Sequence, residues 1–223
     1  GARRRLAGQD HCPHWGCQVN YLNTPTSFIS VDGVNVAYRE LSAGTSPRPL
    51  VMMVHLAANL DNWDPLLVDQ LAQSHHLILR ICQEWVPVTA RWHPPWSRRA
   101  NARLRLFAHE AAAKAVLGRL ASRKAEYADK AVRVPTFLRQ LRAIKRWGVS
   151  PTDDLSFITM PTLVVNGDRD DMVPTPNSYE MHQRISGSRL VIYPHAGHGS
   201  LFQNPKKFTA EVEDFLAGTA GSK

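Results

Sequence analysis

At 223 residues with 43% hydrophobic content, the chain has the size and apolar mass of one domain with one core. Its longest nearly apolar run, Pro49 to Leu60, is broken by His55 and falls far short of the roughly 20 residues a membrane-spanning helix needs, so a transmembrane class is excluded. The net charge of +8 comes from one stretch, since residues 79–147 hold sixteen basic and four acidic side chains. Such a patch suits nucleic acid or an anionic surface, but no RNP motif, zinc-finger spacing or helix-turn-helix signature accompanies it.

Residues 1–24 have no periodicity and read as a loose tail, which leaves 25–223 as a single domain. Arg3-Arg4-Arg5 is followed by no apolar h-region, so no secretory signal is expected and the cytoplasm is the expected location. Three cysteines are too few for a disulfide framework. The cluster His11, Cys12, His14 and Cys17 matches no structural zinc spacing, and neither metal nor organic cofactor is expected.

Order begins near Thr26. Phe28–Val31, the pair Asp32-Gly33 and Val34–Tyr38 predict a hairpin, because an Asp-Gly pair supplies the positive φ values of a tight turn. Leu50–Val54 is a continuous apolar run and predicts a strand buried on both faces in a parallel sheet. Leu60–Gln73 predicts a helix with Asp64 as N-cap, Pro65 in the first turn, and Leu66, Leu67 and Leu71 inward. His76–Ile81 is a further short strand. Residues 79–105 are aperiodic and rich in Arg, Trp and Pro, and form an atypical basic bridge of undetermined structure. Two helices follow, Phe107–Lys124 and Pro135–Trp147, the second with an apolar stripe of Phe137, Leu138, Leu141 and Ile144. The end of the chain alternates: strand Thr162–Val165, helix Ser178–Ile185, strand Arg189–Tyr193, and a helix over 205–217 with Asn204 as N-cap and Gly218 just past its end.

Three segments carry chemistry. In Asn166-Gly167-Asp168-Arg169-Asp170-Asp171, carboxylates emerge where a strand hands over to a turn, at the sheet edge where α/β proteins keep their sites. Asp168 is expected to hydrogen-bond the turn. Ala196-Gly197-His198-Gly199-Ser200 follows the last strand, with glycines on both sides that let the loop aim an imidazole. His55-Leu56 follows the third strand and resembles the loop with which α/β-hydrolases offer a backbone N–H to a developing oxyanion.

The acid and histidine in this order, the loop after the third strand and the terminal αβ alternation resemble small α/β-hydrolases of the esterase, lactonase and cofactor-free haloperoxidase type. Leu56 departs from the glycine usual after the loop histidine. The resemblance implies an α/β fold with helices on both faces of a mostly parallel sheet, residues 106–148 as part of a helical cap, and hydrolysis of a small ester or lactone. It also implies Asp170 as triad acid, ahead of Asp168, and His198 as base. The nucleophile is missing, because no Gly-x-Ser-x-Gly segment stands anywhere in the chain. Ser97, among Trp96, Arg98 and Arg99, cannot enter the strained elbow, and Cys82 follows the wrong strand. Five elements of the family, roughly 85 residues, are expected where 79–105 stand.

Loss of the two middle strands would leave an incomplete sheet with unpaired edges open to self-association. A small acyl substrate is the expected partner of an active chain, with neither membrane nor nucleic acid expected. Two other readings stay open. One is an inactive remnant or interaction protein, in which 79–105 come from a reading-frame change, and the other is a basic module binding nucleic acid or an anionic surface.

Overall fold

The computed structural model describes residues 20–42, 46, 48–80, 107–149 and 154–220. The N-terminal tail up to residue 19, most of the bridge and both alternative nucleophiles, Cys82 and Ser97, lie outside the described residues.

Strands β1 (Ser27–Val31) and β2 (Val34–Ser42) form the hairpin expected of the Asp-Gly pair. Asp32 (φ 51°) and Gly33 (φ 79°) both take the left-handed conformation that such a two-residue turn demands. β3 (Leu50–Met53) and β4 (His76–Arg80) complete a four-stranded sheet in the order β1-β2-β4-β3, with β3 parallel and β2 antiparallel to β4. β5 (Leu163–Gly167) and β6 (Arg189–Tyr193) pair in parallel as a separate two-stranded sheet. Among the described residues the sheet is therefore incomplete and divided into a four-stranded and a two-stranded part.

Helix α1 (Pro65–Ala72) links β3 to β4. Its N-cap is Asp64, whose Oδ1 accepts the Leu66 N–H at 3.1 Å. The helix starts at Pro65, as its expected N-cap requires, and the residues before it, Leu60–Asn62, form a separate 3₁₀ turn closed by a reciprocal Asn59–Asn62 capping box. α2 (Glu110–Ala121) and α3 (Val134–Gly148) follow the bridge. After β5 come α4 (Thr175–Arg184), β6, the short α5 (Ser200–Gln203) and α6 (Pro205–Ala220). α6 runs straight through Gly218, and Asn204 turns its side chain back to donate to the Ser200 carbonyl at 3.0 Å, so neither cap takes its expected form.

One core joins the four-stranded sheet to the last two helices. Leu41, Leu60, Leu67, Val68, Leu71, Leu77 and Leu79 are nearly or fully buried, and Phe202, Phe208 and Val212 of α5 and α6 pack against them. α5 in turn touches β5, which ties the smaller sheet to the same body. Polar contacts reinforce the seam: the His75 ring meets Glu213 at 3.0 Å, and the Asp64 carboxylate takes two hydrogen bonds from Arg119 at 2.8 and 2.6 Å. A second buried ionic knot surrounds Arg39, which is fully buried between Asp61 (2.5 Å) and Asp129 (2.8 Å).

Three burial expectations fail. β3 is parallel as predicted, but Val51 and Met53 are each 57% exposed. No described element covers the face on which they stand. Leu66 is exposed and Val68 takes its inward place, because Leu67, Val68 and Leu71 are the positions that α1 turns to the sheet. Along α3 only Phe137 is buried, while Leu138, Leu141 and Ile144 are 41%, 42% and 47% exposed. No helix among the described residues is long and apolar enough to cross a membrane.

Candidate active site

β5 ends in Asn166 and Gly167, and both are fixed by local chemistry. The Asn166 amide donates to the Val173 carbonyl (3.2 Å) and to Ser178 Oγ (3.1 Å), which holds the acid turn against α4. A Cβ on Gly167 would lie 2.1 Å from the Ala196 carbonyl oxygen, so only glycine lets the acid turn and the histidine loop meet.

The two loops are laced together by their backbones. Asp168 N–H donates to Tyr193 O (3.0 Å) and Arg169 N–H to Ala196 O (2.9 Å). Asp168 Oδ1 accepts the Ala196 N–H at 3.2 Å. Backbone hydrogen bonds from His195 and Ala196, with the nearby Arg169 charge, hold the Asp168 carboxyl below its usual range. Asp168 therefore braces the loop.

Asp170 is the residue that meets the imidazole. Its Oδ1 accepts the N–H groups of Met172 and Val173, both at 2.8 Å, and its Oδ2 lies 2.9 Å from His198 Nδ1. The carboxylate is almost fully buried, while about a third of the His198 side chain is exposed (2% and 34%). Two backbone donors on one oxygen lock the carboxylate plane and leave the other oxygen to orient the ring. The loop around His198 is held by His195 in a left-handed conformation (φ 56°), by Gly197 N–H donating to Gln203 Oε1 (2.8 Å), and by Gly199, where a Cβ would meet the Phe107 ring at 2.5 Å.

The loop after β3 stands near the same imidazole. His55 Nδ1 donates to the Leu56 carbonyl at 2.8 Å. Although the His55 side chain is exposed, the crowding of chain around it lowers its pKa, against the Leu56 hydrogen bond that raises it, and the nearby His198 lowers it further. His55 to Ala58 form a turn closed by Ala58 N–H to His55 O (3.2 Å), with Ala57 left-handed at φ 60°. The Ala57 N–H donates to Gln140 Oε1 of α3 at 3.1 Å. Ala57 and Gln140 were not visible as site residues in the sequence: one is an alanine without any motif, the other a polar residue among arginines on a helix.

The structure thus brings Asp170, His198 and the His55–Ala57 loop together. Among the described residues no serine, threonine or cysteine side chain is hydrogen-bonded to His198. No described group of three or more His, Cys, Asp or Glu side chains is arranged to hold a metal ion.

A mixed four-stranded sheet, a parallel strand pair, and an acid after one strand with a histidine after the next form an arrangement of the α/β-hydrolase type. Residues 139–220 match the family model described as TAP-like protein. A non-heme haloperoxidase of Rhodococcus erythropolis is 38% identical over 66 residues, 29% of this chain and 24% of the relative. A pimeloyl-(acyl-carrier protein) methyl ester esterase of Neisseria meningitidis serogroup B is 34% identical over 64 residues, 29% of this chain and 25% of the relative. The match thus spans about a quarter of the length of these curated relatives. An α/β-hydrolase fold protein from Chitinophaga pinensis superposes with a TM-score of 0.75 at 24% identity, over 88% of this chain and 98% of that one. The fold is that of an α/β-hydrolase, and the family match and the curated relatives are similar to parts of this chain, in which no Gly-x-Ser-x-Gly segment stands.

Proposed function

We propose that the chain hydrolyses small carboxylic esters or lactones with His198 as general base and Asp170 as the acid that orients it. The observation that carries this reading is the 2.9 Å contact from His198 Nδ1 to a buried carboxylate whose second oxygen is already saturated by two backbone donors. Such a pairing places the proton on Nδ1 and turns the lone pair of Nε2 outward.

In the absence of an elbow serine, the attacking group is water. His198 Nε2 takes a proton from water as its oxygen bonds to the acyl carbon. The tetrahedral intermediate then collapses, the bond to the alkoxy group breaks, and the imidazolium returns the proton to the leaving alkoxide, giving acid and alcohol. The Ala57 N–H is the donor offered to the developing oxyanion, and an amide oxygen, that of Gln140, is already seated on it. A substrate carbonyl replaces that amide oxygen on binding. General-base catalysis alone contributes about 10²–10⁴-fold, so the activity is weak beside that of a full triad. Release of acid from a small aryl ester and a small lactone, wild type against His198→Ala, tests the reading: the acceleration disappears in the variant.

A second reading, a non-catalytic interaction protein of hydrolase descent, is favoured by the same Gln140 contact and by the divided sheet. It requires that wild type and His198→Ala hydrolyse both substrates at the same background rate.

A further inference from the structure

α3 is the most amphipathic of the described helices, and its second half lies in the open: residues 141–149 are all exposed. Phe137 in the first half is buried, and Gln140 reaches the loop beside His198, so this end anchors the helix to the body. From there the apolar stripe continues outward through Leu138, Leu141 and Ile144, each 41–47% exposed, and Trp147 near the end is 70% exposed. Around the stripe stand Arg139, Arg142, Lys145 and Arg146, and residues 130–149 contain no acid. An apolar stripe left in water and ringed by cations would be an unusual surface for a monomer.

We infer that α3 is an interfacial helix that docks on an anionic lipid surface, with Leu141, Ile144 and Trp147 entering the headgroup–acyl boundary and the cations meeting lipid phosphates. A strongly one-sided helix, basic on its polar face with Leu and Trp on the other, has this chemistry. Charge decides between occupants. A second copy would bring the same basic helix and so repel, whereas an anionic leaflet complements it. Nucleic acid would satisfy the cations but leave Leu141, Ile144 and Trp147 in water. Lys145 lies at the margin of the stripe, where its stem can follow the apolar face and its ammonium can reach outward. Docking of this kind spans no bilayer and is compatible with the lack of a spanning helix among the described residues. It also sets the neighbourhood of His198 beside the lipid surface, through Gln140, whether or not the site is active.

Co-sedimentation of the full chain with vesicles tests the inference. Vesicles of equal parts phosphatidylglycerol and phosphatidylcholine should bind it, and pure phosphatidylcholine should bind it much more weakly. Arg142→Gln and Lys145→Gln should each weaken binding about fivefold, the fold-change for about 1 kcal/mol per cation near the surface. Leu141→Asp with Ile144→Asp should weaken it about tenfold or more. Brominated acyl chains should quench tryptophan emission, and Trp147→Phe should remove most of that quenching, a readout that needs no destabilising substitution. Absence of binding to anionic vesicles would overturn the inference. So would binding unchanged by all of these substitutions, or retention by DNA without retention by vesicles.

Discussion

Asp170 and His198 meet only because smaller residues hold their loops. His198→Ala removes the base, and Asp170→Asn presents an amide that favours the wrong imidazole tautomer. Both should lower ester hydrolysis to within about tenfold of background, measured by aryl-ester turnover. Gly167 is as important without touching the ring. A methyl there drives into the Ala196 carbonyl at 2.1 Å, so Gly167→Ala should destabilise by about 3 kcal/mol in denaturant unfolding and displace the histidine loop. Gly118, inside α2 with open space where a side chain would stand, gives the opposite sign: Gly118→Ala should stabilise by about 0.5–1 kcal/mol. Protonation of His55 is disfavoured in the folded chain, so its NMR midpoint should fall below the ordinary value of about 6.5. Any stability this residue contributes is present above that value and declines as pH falls toward the lowered folded one.

At the scale of elements, chemistry encoded locally was legible and burial was not. The hairpin follows from Asp32-Gly33, α1 from Asp64-Pro65, and the Asp170 and His198 turns from glycines beside strands; each depends on residues a few positions apart. The exposure of Val51, Met53 and the α3 stripe depends on which neighbours cover them, and apolar periodicity in one segment cannot report another segment's absence. Gln140 was invisible because its role comes from where α3 lies. Asp64 shows how one residue serves two elements, capping α1 and pairing with Arg119 of α2. Asp64→Asn keeps the cap and loses the ion pair, whereas Asp64→Ala loses both. Asp64→Ala should therefore cost about 3 kcal/mol or more and Asn distinctly less, read from chemical unfolding of the two variants.

Among the described residues the sheet stands in two parts, linked through the last two helices. β3 is an edge strand there, with Val51 and Met53 exposed, and an exposed edge of this kind can pair with another chain. Self-association should therefore depend on protein concentration, and Val51→Lys should shift the distribution toward monomer in sedimentation velocity. Catalysis and assembly are separable, since Val51 stands on one sheet and the Asp170–His198 turns on the other. Whether the Asp170–His198 pair moves protons is read from p-nitrophenyl acetate hydrolysis by wild type and His198→Ala under identical conditions. Wild type should be faster by about 10²–10⁴-fold; equal rates would leave the pair as a structural inheritance without catalysis.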